Sequence, residues 1–286
     1  MNFFVLGCNG MAGHIISLYL KEQGYSVLGF ARTKSKYVES VVGDAFDTEL
    51  LKKIILENKF DAVVNCIGML NQFAEQNKAS ASFMNSYLPH FLAEITTDTD
   101  TQIIHMSTDC VFSGKRGGYT EEDFCDGETF YDRSKALGEL SDQKNITFRN
   151  SIIGPDININ GIGLLNWFMS QSGEINGYTK SIWTGQTTLQ LAKTIEKAVL
   201  EKAHGLYNAV PDHSISKFEL LKLFNHYFKD DSLKINAVEG IMADKSLIRT
   251  KYEFNYLIPD YETMIADLAE WIKNHKDMYP HYNLFN

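Results

Sequence analysis

The sequence predicts an α/β fold, a doubly wound parallel sheet of the Rossmann type with a smaller discontinuous C-terminal substrate domain. Three observations predict it. Short, nearly continuous apolar runs alternate with helix-period segments through the first half of the chain, the mark of a parallel sheet covered on both faces. A glycine-rich turn, Gly7-Cys-Asn-Gly10-Met-Ala-Gly13, joins the first apolar run to the first helical segment. Beyond Gly154 the rhythm breaks into a stretch rich in glycine and asparagine before helical periodicity returns.

The elements follow in order. Asn2–Leu6 reads as a strand, Gly13–Gln23 as a helix, Ser26–Phe30 as a strand, Glu49–Asn58 as a helix and Ala62–Ile67 as a strand. Ala79–Glu94 reads as a helix, Gln102–Met106 as a strand, Tyr131–Leu140 as a helix and Ile146–Ile153 as a strand. Thr187–Ala203 is helical, Gly205–Val210 is a last strand rejoining the sheet, and Ser216–Phe228 and Tyr261–Asn274 are amphipathic helices. Trp167, Phe168 and Met169 read as the buried face of a further helix. This divides the chain into a nucleotide-binding domain, residues 1–153 plus about 181–210, and a small domain, about 154–180 and 211–286. The small domain is expected against the strand ends, where ligands of open α/β sheets bind.

At 286 residues and 44% hydrophobic, the chain can bury a sizeable core. A net charge of -9, a pI near 5.4 and no basic run longer than two residues disfavour nucleic acid as a partner. No stretch approaches the roughly 18 apolar residues of a membrane span, and MNFFVLGC carries neither a basic leader nor a cleavage site, so a soluble cytoplasmic protein without a membrane partner is expected. Cys8, Cys66, Cys110 and Cys125 show no C-x-x-C spacing and the histidines no ligand spacing, so neither a metal site nor a disulfide framework is expected.

The glycine turn carries the first chemistry. Gly7, Gly10 and Gly13 permit a tight turn, close approach of the backbone to a pyrophosphate, and close packing of helix on strand; Asn9 and Met11 lie within the same turn. The helix that follows turns unpaired N–H groups toward the phosphates. At the end of the second strand, Arg32, helped by Lys34, favours the extra phosphate of NADP over NAD, or else Arg32 is a solvated surface arginine. Asp44 meets the adenine edge or serves as a turn or helix-cap aspartate.

The second chemistry lies in Tyr131-Asp-Arg-Ser-Lys135. A chain with 14 tyrosines can hold a Y-x-x-x-K by chance, so its company decides. The strand QIIHM ends in Ser107-Thr108-Asp109, which puts a hydroxyl at the carboxyl end of a central strand. Tyr131 and Lys135 share one helix face at i and i+4. Reducing a ketone needs a proton at the carbonyl oxygen, and a neighbouring ammonium is expected to bring a phenol near its ordinary pKa of about 10 toward working pH. Thr108 is expected to hydrogen-bond the same oxygen.

Together G-x-x-G-x-x-G, S-T-D-C-V-F-S-G (Ser107–Gly114), Y-D-R-S-K-A-L-G-E (Tyr131–Glu139) and R-N-S-I-I-G (Arg149–Gly154) resemble the extended short-chain dehydrogenase/reductases, and most closely their dTDP-4-dehydrorhamnose reductase branch. The resemblance covers almost the whole chain, more loosely beyond Gly154. It implies NADP(H)-dependent reduction of the C4 ketone of a nucleotide-linked 6-deoxy sugar. Thr108, Tyr131 and Lys135 match the catalytic trio, and Asp109, Val111 and Phe112 fall at the substrate. Lys135 also holds the ribose, and Asn85 matches a helix asparagine near the proton path, or else is a polar helix residue or kink partner for Pro89. Two departures stand out. Asn65-Cys66-Ile67-Gly68-Met69-Leu70 replaces the usual strand-four signature where the cofactor meets the wall, and Ile152 replaces a tryptophan. The sugar and base therefore stay open between dTDP-rhamnose chemistry and a 2-acetamido sugar on UDP.

Trp183 is expected either to stack on a nucleotide base or to anchor the small domain, and Arg249 either to reach a substrate pyrophosphate or to form a surface ion pair. The C-terminal HKDMYPHYNLFN has too many aromatics for a free tail and is expected to pack on the body or on a second copy, as in a homodimer. Two other functions remain open: a sugar-nucleotide epimerase or dehydratase holding NAD tightly, and a non-catalytic NADP-binding regulatory subunit. The acid–acid pair of dehydratases is absent, since Cys110 follows Asp109, and a pure binding module has no need of the Thr–Tyr–Lys set.

Overall fold

The computed structural model describes residues 1–240 and 242–282. Its strands in chain order begin with β1 (Asn2–Leu6), β2 (Ser26–Ala31), β3 (Glu39–Val42), β4 (Ala62–Asn65), β5 (Gln102–Met106) and β6 (Ile146–Arg149). Five more follow, β7 (Ile152–Ile153), β8 (Glu174–Tyr178), β9 (Ser181–Trp183), β10 (Gln186–Thr187) and β11 (Gly205–Asn208). The last are β12 (Ile215–Ser216), β13 (Lys234–Val238) and β14 (Ala243–Asp244). The α-helices are α1 (Met11–Glu22), α2 (Thr48–Glu57), α3 (Asn71–Gln76), α4 (Lys78–Ala81), α5 (Leu88–Ile95) and α6 (Phe130–Leu137). After these come α7 (Leu164–Met169), α8 (Thr188–Glu201), α9 (Lys217–Lys229) and α10 (Tyr261–Asn274).

The central sheet runs β11-β6-β5-β4-β1-β2-β3, with every pair parallel. Phe3 and Val5 pack into the core on one face, with Ile15, Ile16 and Leu20 of α1 and Leu191 and Ile195 of α8. Phe4 and Leu6 pack on the other, with Leu51 and Ile54 of α2 and Leu88 and Leu92 of α5. Burial of both faces explains why β1 reads as an unbroken apolar run. Chain order reverses between β1 and β4, so the crevice for a ligand opens there. Register aligns the strand ends: Leu6 pairs with both Phe30 and Asn65, and Asn65 with His105. The segments after these four residues therefore leave the sheet side by side on one edge.

Four expectations change. Glu39–Val42 forms an edge strand that the sequence did not announce, because only its two valines are apolar and the strand is only partly buried. Ile146–Ile153 is two strands: β6 stays in the main sheet, while β7 leaves it to pair with β10. The return to the main sheet does not begin near residue 181, since β9 lies between β12 and β14 in a small three-stranded sheet. Main-sheet packing resumes with α8, which lies against α1.

Ala79–Glu94 is not one regular helix either. A π-helical turn, Ser82–Tyr87, separates α4 from α5. Pro89 has no N–H to offer the Asn85 carbonyl four residues earlier, and the turn widens there. Gly138 closes against this spot, where any Cβ would run into the Asn85 carbonyl oxygen.

The C-terminal segment packs on the body through Tyr279, whose hydroxyl lies 2.8 Å from His14 Nε2, and Tyr282, whose hydroxyl accepts from the Asp156 N–H at 2.8 Å. Residues 283–286 of that segment lie outside the described residues. Among the described residues no helix is long and apolar enough to cross a membrane.

Candidate active site

The glycine turn leaves β1 with Gly7 in the left-handed region, at φ +78°, and its carbonyl accepts from Gly10 N at 2.8 Å. A Cβ on Gly13 would occupy the space of that same Gly7 carbonyl, so only glycine lets α1 start this close to β1. No side chain caps α1, which leaves its first N–H groups for a ligand anion. Asn9 donates to the carbonyl and hydroxyl oxygens of Thr33, at 2.9 and 3.2 Å, and so ties the turn to the end of β2. Arg32 and Lys34 are exposed beside that tie. Across the crevice, Cys66 and Ile67 lie against Gly7, with Gly68 exposed beyond them. Burial pushes the Cys66 thiol up to about 12 and the Cys8 thiol up to about 11, so both stay protonated and inert.

Asp44 is exposed and accepts from Phe46 N at 3.0 Å, a turn contact; the cap of α2 is Asp47. Met11 opens α1.

Helix α6 carries Tyr131 and Lys135, both buried, behind a capping box between Thr129 and Asp132. The Thr108 hydroxyl, which donates to Asp109 Oδ1 at 3.0 Å and accepts from Cys110 N at 3.1 Å, lies beside the phenol of Tyr131. Lys135 Nζ donates to the Met106 carbonyl at 2.5 Å, at the end of β5 and two residues before Thr108. The three groups thus meet at the carboxyl end of β5, on the same sheet edge as the glycine turn.

Their electrostatics differ from the sequence expectation. Burial raises the Tyr131 phenol above its ordinary value, and the neighbouring Thr108 hydroxyl only partly offsets this. Burial lowers Lys135 to about 8. The site therefore holds a protonated phenol one helical turn from an ammonium that releases its proton readily. For a ketone reduction this is the charge state of a proton donor.

His105 lies under Lys135, a residue the sequence reading passed over. Asn65 Oδ1 accepts from Ile67 N, which turns Asn65 Nδ2 toward His105 Nδ1 at 3.3 Å. We assign the imidazole proton to Nε2, which faces Lys135 Nζ at 3.5 Å. Burial holds His105 well below its ordinary value, so the ring is neutral. Its N–H aimed at Lys135 opposes the charged amine, which adds to the effect of burial.

Asn85 does not point at the phenol. Its side chain grips Met69 from both sides, Oδ1 accepting from Met69 N at 2.8 Å and Nδ2 donating to Met69 O at 3.0 Å, and Nδ2 also donates to Ser134 Oγ at 3.0 Å. It binds the loop after β4 to α6. Glu139 and Arg149, both in quoted motifs but given no role, form a buried pair: Arg149 Nη2 to Glu139 Oε2 at 2.7 Å and Nε to Oε1 at 2.8 Å. Ser107 Oγ donates to the same Oε1 at 2.6 Å, which fixes the residue before Thr108.

Several expected substrate residues have other work. The Val111 and Phe112 side chains are fully buried, and Phe112 stacks on Tyr119 with centroids 4.3 Å apart, so they brace the loop instead of lining it. Arg249 does not reach outward for a diphosphate: Nε, Nη1 and Nη2 donate to the carbonyls of Lys251, Tyr256 and Phe254, and the guanidinium lies 3.9 Å from the Tyr256 ring centroid. Trp183 is buried against Tyr261, with the Lys217 ammonium 5.1 Å above its ring, so the anchoring alternative describes its surroundings. Asp109 is buried and its carboxyl raised by that burial, against the pull of the Thr108 hydroxyl, Lys245 and Lys217. Among the described residues no cluster of histidine, cysteine or carboxylate could hold a metal ion.

The family model described as the RmlD substrate binding domain matches residues 1–252. The chain belongs to that family. The curated relatives it matches include the probable low-salt glycan biosynthesis reductase Agl14 of Haloferax volcanii, 34% identical over 143 residues, 49% of this chain and 48% of that protein. The dTDP-4-dehydrorhamnose reductase of Mycobacterium tuberculosis is 30% identical over 141 residues, 47% of this chain and 43% of that protein. The chain spans about half the length of the curated relatives it matches. Among solved structures, dTDP-4-dehydrorhamnose reductase of Bacillus anthracis in complex with NADP superposes with a TM-score of 0.78 at 20% identity, over 95% of this chain and 99% of that one. At that identity the likeness establishes the shared Rossmann fold of this RmlD family member.

Proposed function

We propose that this protein is an NADP(H)-dependent reductase of the C4 ketone of a nucleotide-diphospho-4-keto-6-deoxyhexose, working in surface-polysaccharide sugar synthesis. The observation that carries the reading is the meeting of Thr108, Tyr131 and Lys135 at the carboxyl end of β5, beside the crevice that the glycine turn borders. The uncapped start of α1 and the glycine-only contact of Gly13 with Gly7 suit a dinucleotide pyrophosphate. Exposed Arg32 and Lys34 suit a 2′-phosphate. NADPH, when bound, supplies the hydride.

The chain's own residues supply the rest. Thr108 and Tyr131 hold the ketone oxygen, and the protonated phenol gives its hydrogen as negative charge develops there. Lys135 holds the ribose and keeps positive charge near the phenolate left behind. Burial of all three excludes water that would weaken these interactions. A panel of 4-keto-6-deoxy sugar nucleotides on dTDP and UDP, followed by NADPH absorbance, tests the reading. Oxidation of NADPH with at least one member is expected; no turnover across the panel, with NADPH bound, would reject it.

A further inference from the structure

A diphosphate sugar needs cations, and the arginine expected to supply them is engaged by backbone carbonyls. Two lysines stand in its place. The small sheet has the order β12-β9-β14, with Trp183 at the end of its central strand. Lys245 directly follows β14, which runs parallel to β9, and so falls level with Trp183; Lys217 directly follows β12, which runs antiparallel and leaves at the Ser181 end, so its side chain reaches back along β9 to the Trp183 ring. Lys217 lies over the Trp183 ring at 5.1 Å. Lys245 lies along the loop after Asp109, its Cγ 2.9 Å from where a Cβ of Gly114 would stand. Both act electrostatically on Asp109, the neighbour of Thr108.

The placement is costly for cations. Lys217 is the first residue of a 13-residue helix, the end whose dipole repels positive charge. Both lysines are half-buried, and no acid lies within 4 Å of either ammonium among the described residues. Asp109 alone leaves one formal positive charge in excess. Burial has pushed Lys217 down to about 8. Unpaired, partly desolvated cations of this kind are stabilised when an anion joins them.

We propose that Lys217 and Lys245 form a clamp for an anionic group of the sugar nucleotide, held between the Trp183 end of the small sheet and Thr108-Asp109. The assignment rests on the proposed reductase reading for its ligand class. In a 6-deoxyhexose nucleotide the diphosphate carries this chemistry; a carboxylate on the sugar, which a 6-deoxyhexose lacks, is the other source of the same charge.

The test titrates the NADP-loaded protein with UDP, dTDP, UDP-glucose and UDP-glucuronate by calorimetry, for the parent chain, Lys217→Gln and Lys245→Gln. Each variant is expected to lose on the order of tenfold in affinity, with Lys217→Arg retaining most of it and NADP affinity unchanged. Equal losses for UDP, UDP-glucose and UDP-glucuronate assign the clamp to the diphosphate. A loss confined to UDP-glucuronate assigns it to a sugar carboxylate and contradicts a 6-deoxyhexose as the ligand. Lys217→Met keeps the aliphatic stem over Trp183 and replaces Lys217→Gln if that variant does not fold. Unchanged affinities in folded variants overturn the clamp, and unchanged KM alongside normal turnover overturns it while leaving the reductase reading intact. Variant-dependent nucleotide binding without turnover of any 4-keto sugar leaves the clamp and removes the reductase. A parent chain that binds none of the four nucleotides overturns both.

Discussion

His105 Nε2 lies 3.5 Å from Lys135 Nζ, inside the sheet and under the helix that carries Tyr131. With Asn65 on the other ring nitrogen, the imidazole turns a donor toward an amine that burial has already lowered to about 8. The pair makes Lys135 a cation that is only just held at neutral pH. His105→Leu removes the opposing N–H while roughly keeping the shape. The alkaline limb of kcat/KM against pH is expected to move up by about one unit in this variant. An unchanged limb would deny His105 a role in setting the charge of Lys135.

Arg32 is exposed at the end of β2, next to the Asn9 tie. A charge-assisted contact to phosphate is worth about 1.5–3 kcal/mol. Arg32→Ala should therefore cut the preference for NADPH over NADH by roughly ten- to a hundredfold, read as the ratio of kcat/KM for the two cofactors. A preserved ratio would place the 2′-phosphate elsewhere.

Glu139 and Arg149 are buried together. Glu139→Ala leaves a buried guanidinium without its counter-charge and should cost about 3–5 kcal/mol in denaturant unfolding. Glu139→Leu combined with Arg149→Met removes both charges and is expected to cost less than that single change. The same unfolding curves show whether the pair holds the fold or only adjusts Ser107.

His14 sits in the first turn of α1, its ring between the Gly10 carbonyl and the Tyr279 hydroxyl. Burial lowers it from 6.5 to about 4. Below pH 6.5 the unfolded chain binds a proton that the folded chain refuses, so folding stability falls as pH drops from 6.5 toward 4. The full loss from this one ring is roughly 3 kcal/mol. His14→Gln should show a flatter decline in urea midpoint between pH 7 and 5. An equally steep decline would assign the acid sensitivity to other groups.

The alternation of apolar runs and helical segments was legible because burial on both sheet faces leaves a strong local signal, as in Asn2–Leu6. Glu39–Val42 left none, being a half-covered edge strand. The split after Arg149 and the π turn at Asn85 depend on partners far along the chain, β10 and Gly138. Thr108, Tyr131 and Lys135 were legible through helix spacing and their place after a strand. His105 was not, because strand register brings it under Lys135, and neither was the approach of Lys217 and Lys245 to Asp109, which a small sheet built from three distant segments creates. Arg249 and Phe112 misled for the converse reason: residue type suggested a ligand, and packing against Tyr256 and Tyr119 took the side chain first.

The central claim is that the buried phenol of Tyr131 donates the proton in a hydride-coupled ketone reduction. The most direct test is single-turnover NADPH oxidation by Tyr131→Phe with the best 4-keto sugar nucleotide of the panel, alongside NADPH affinity. A rate reduced by about 10²–10⁴ with NADPH affinity within a few-fold of the parent chain is the predicted result. A rate close to that of the parent chain would contradict it.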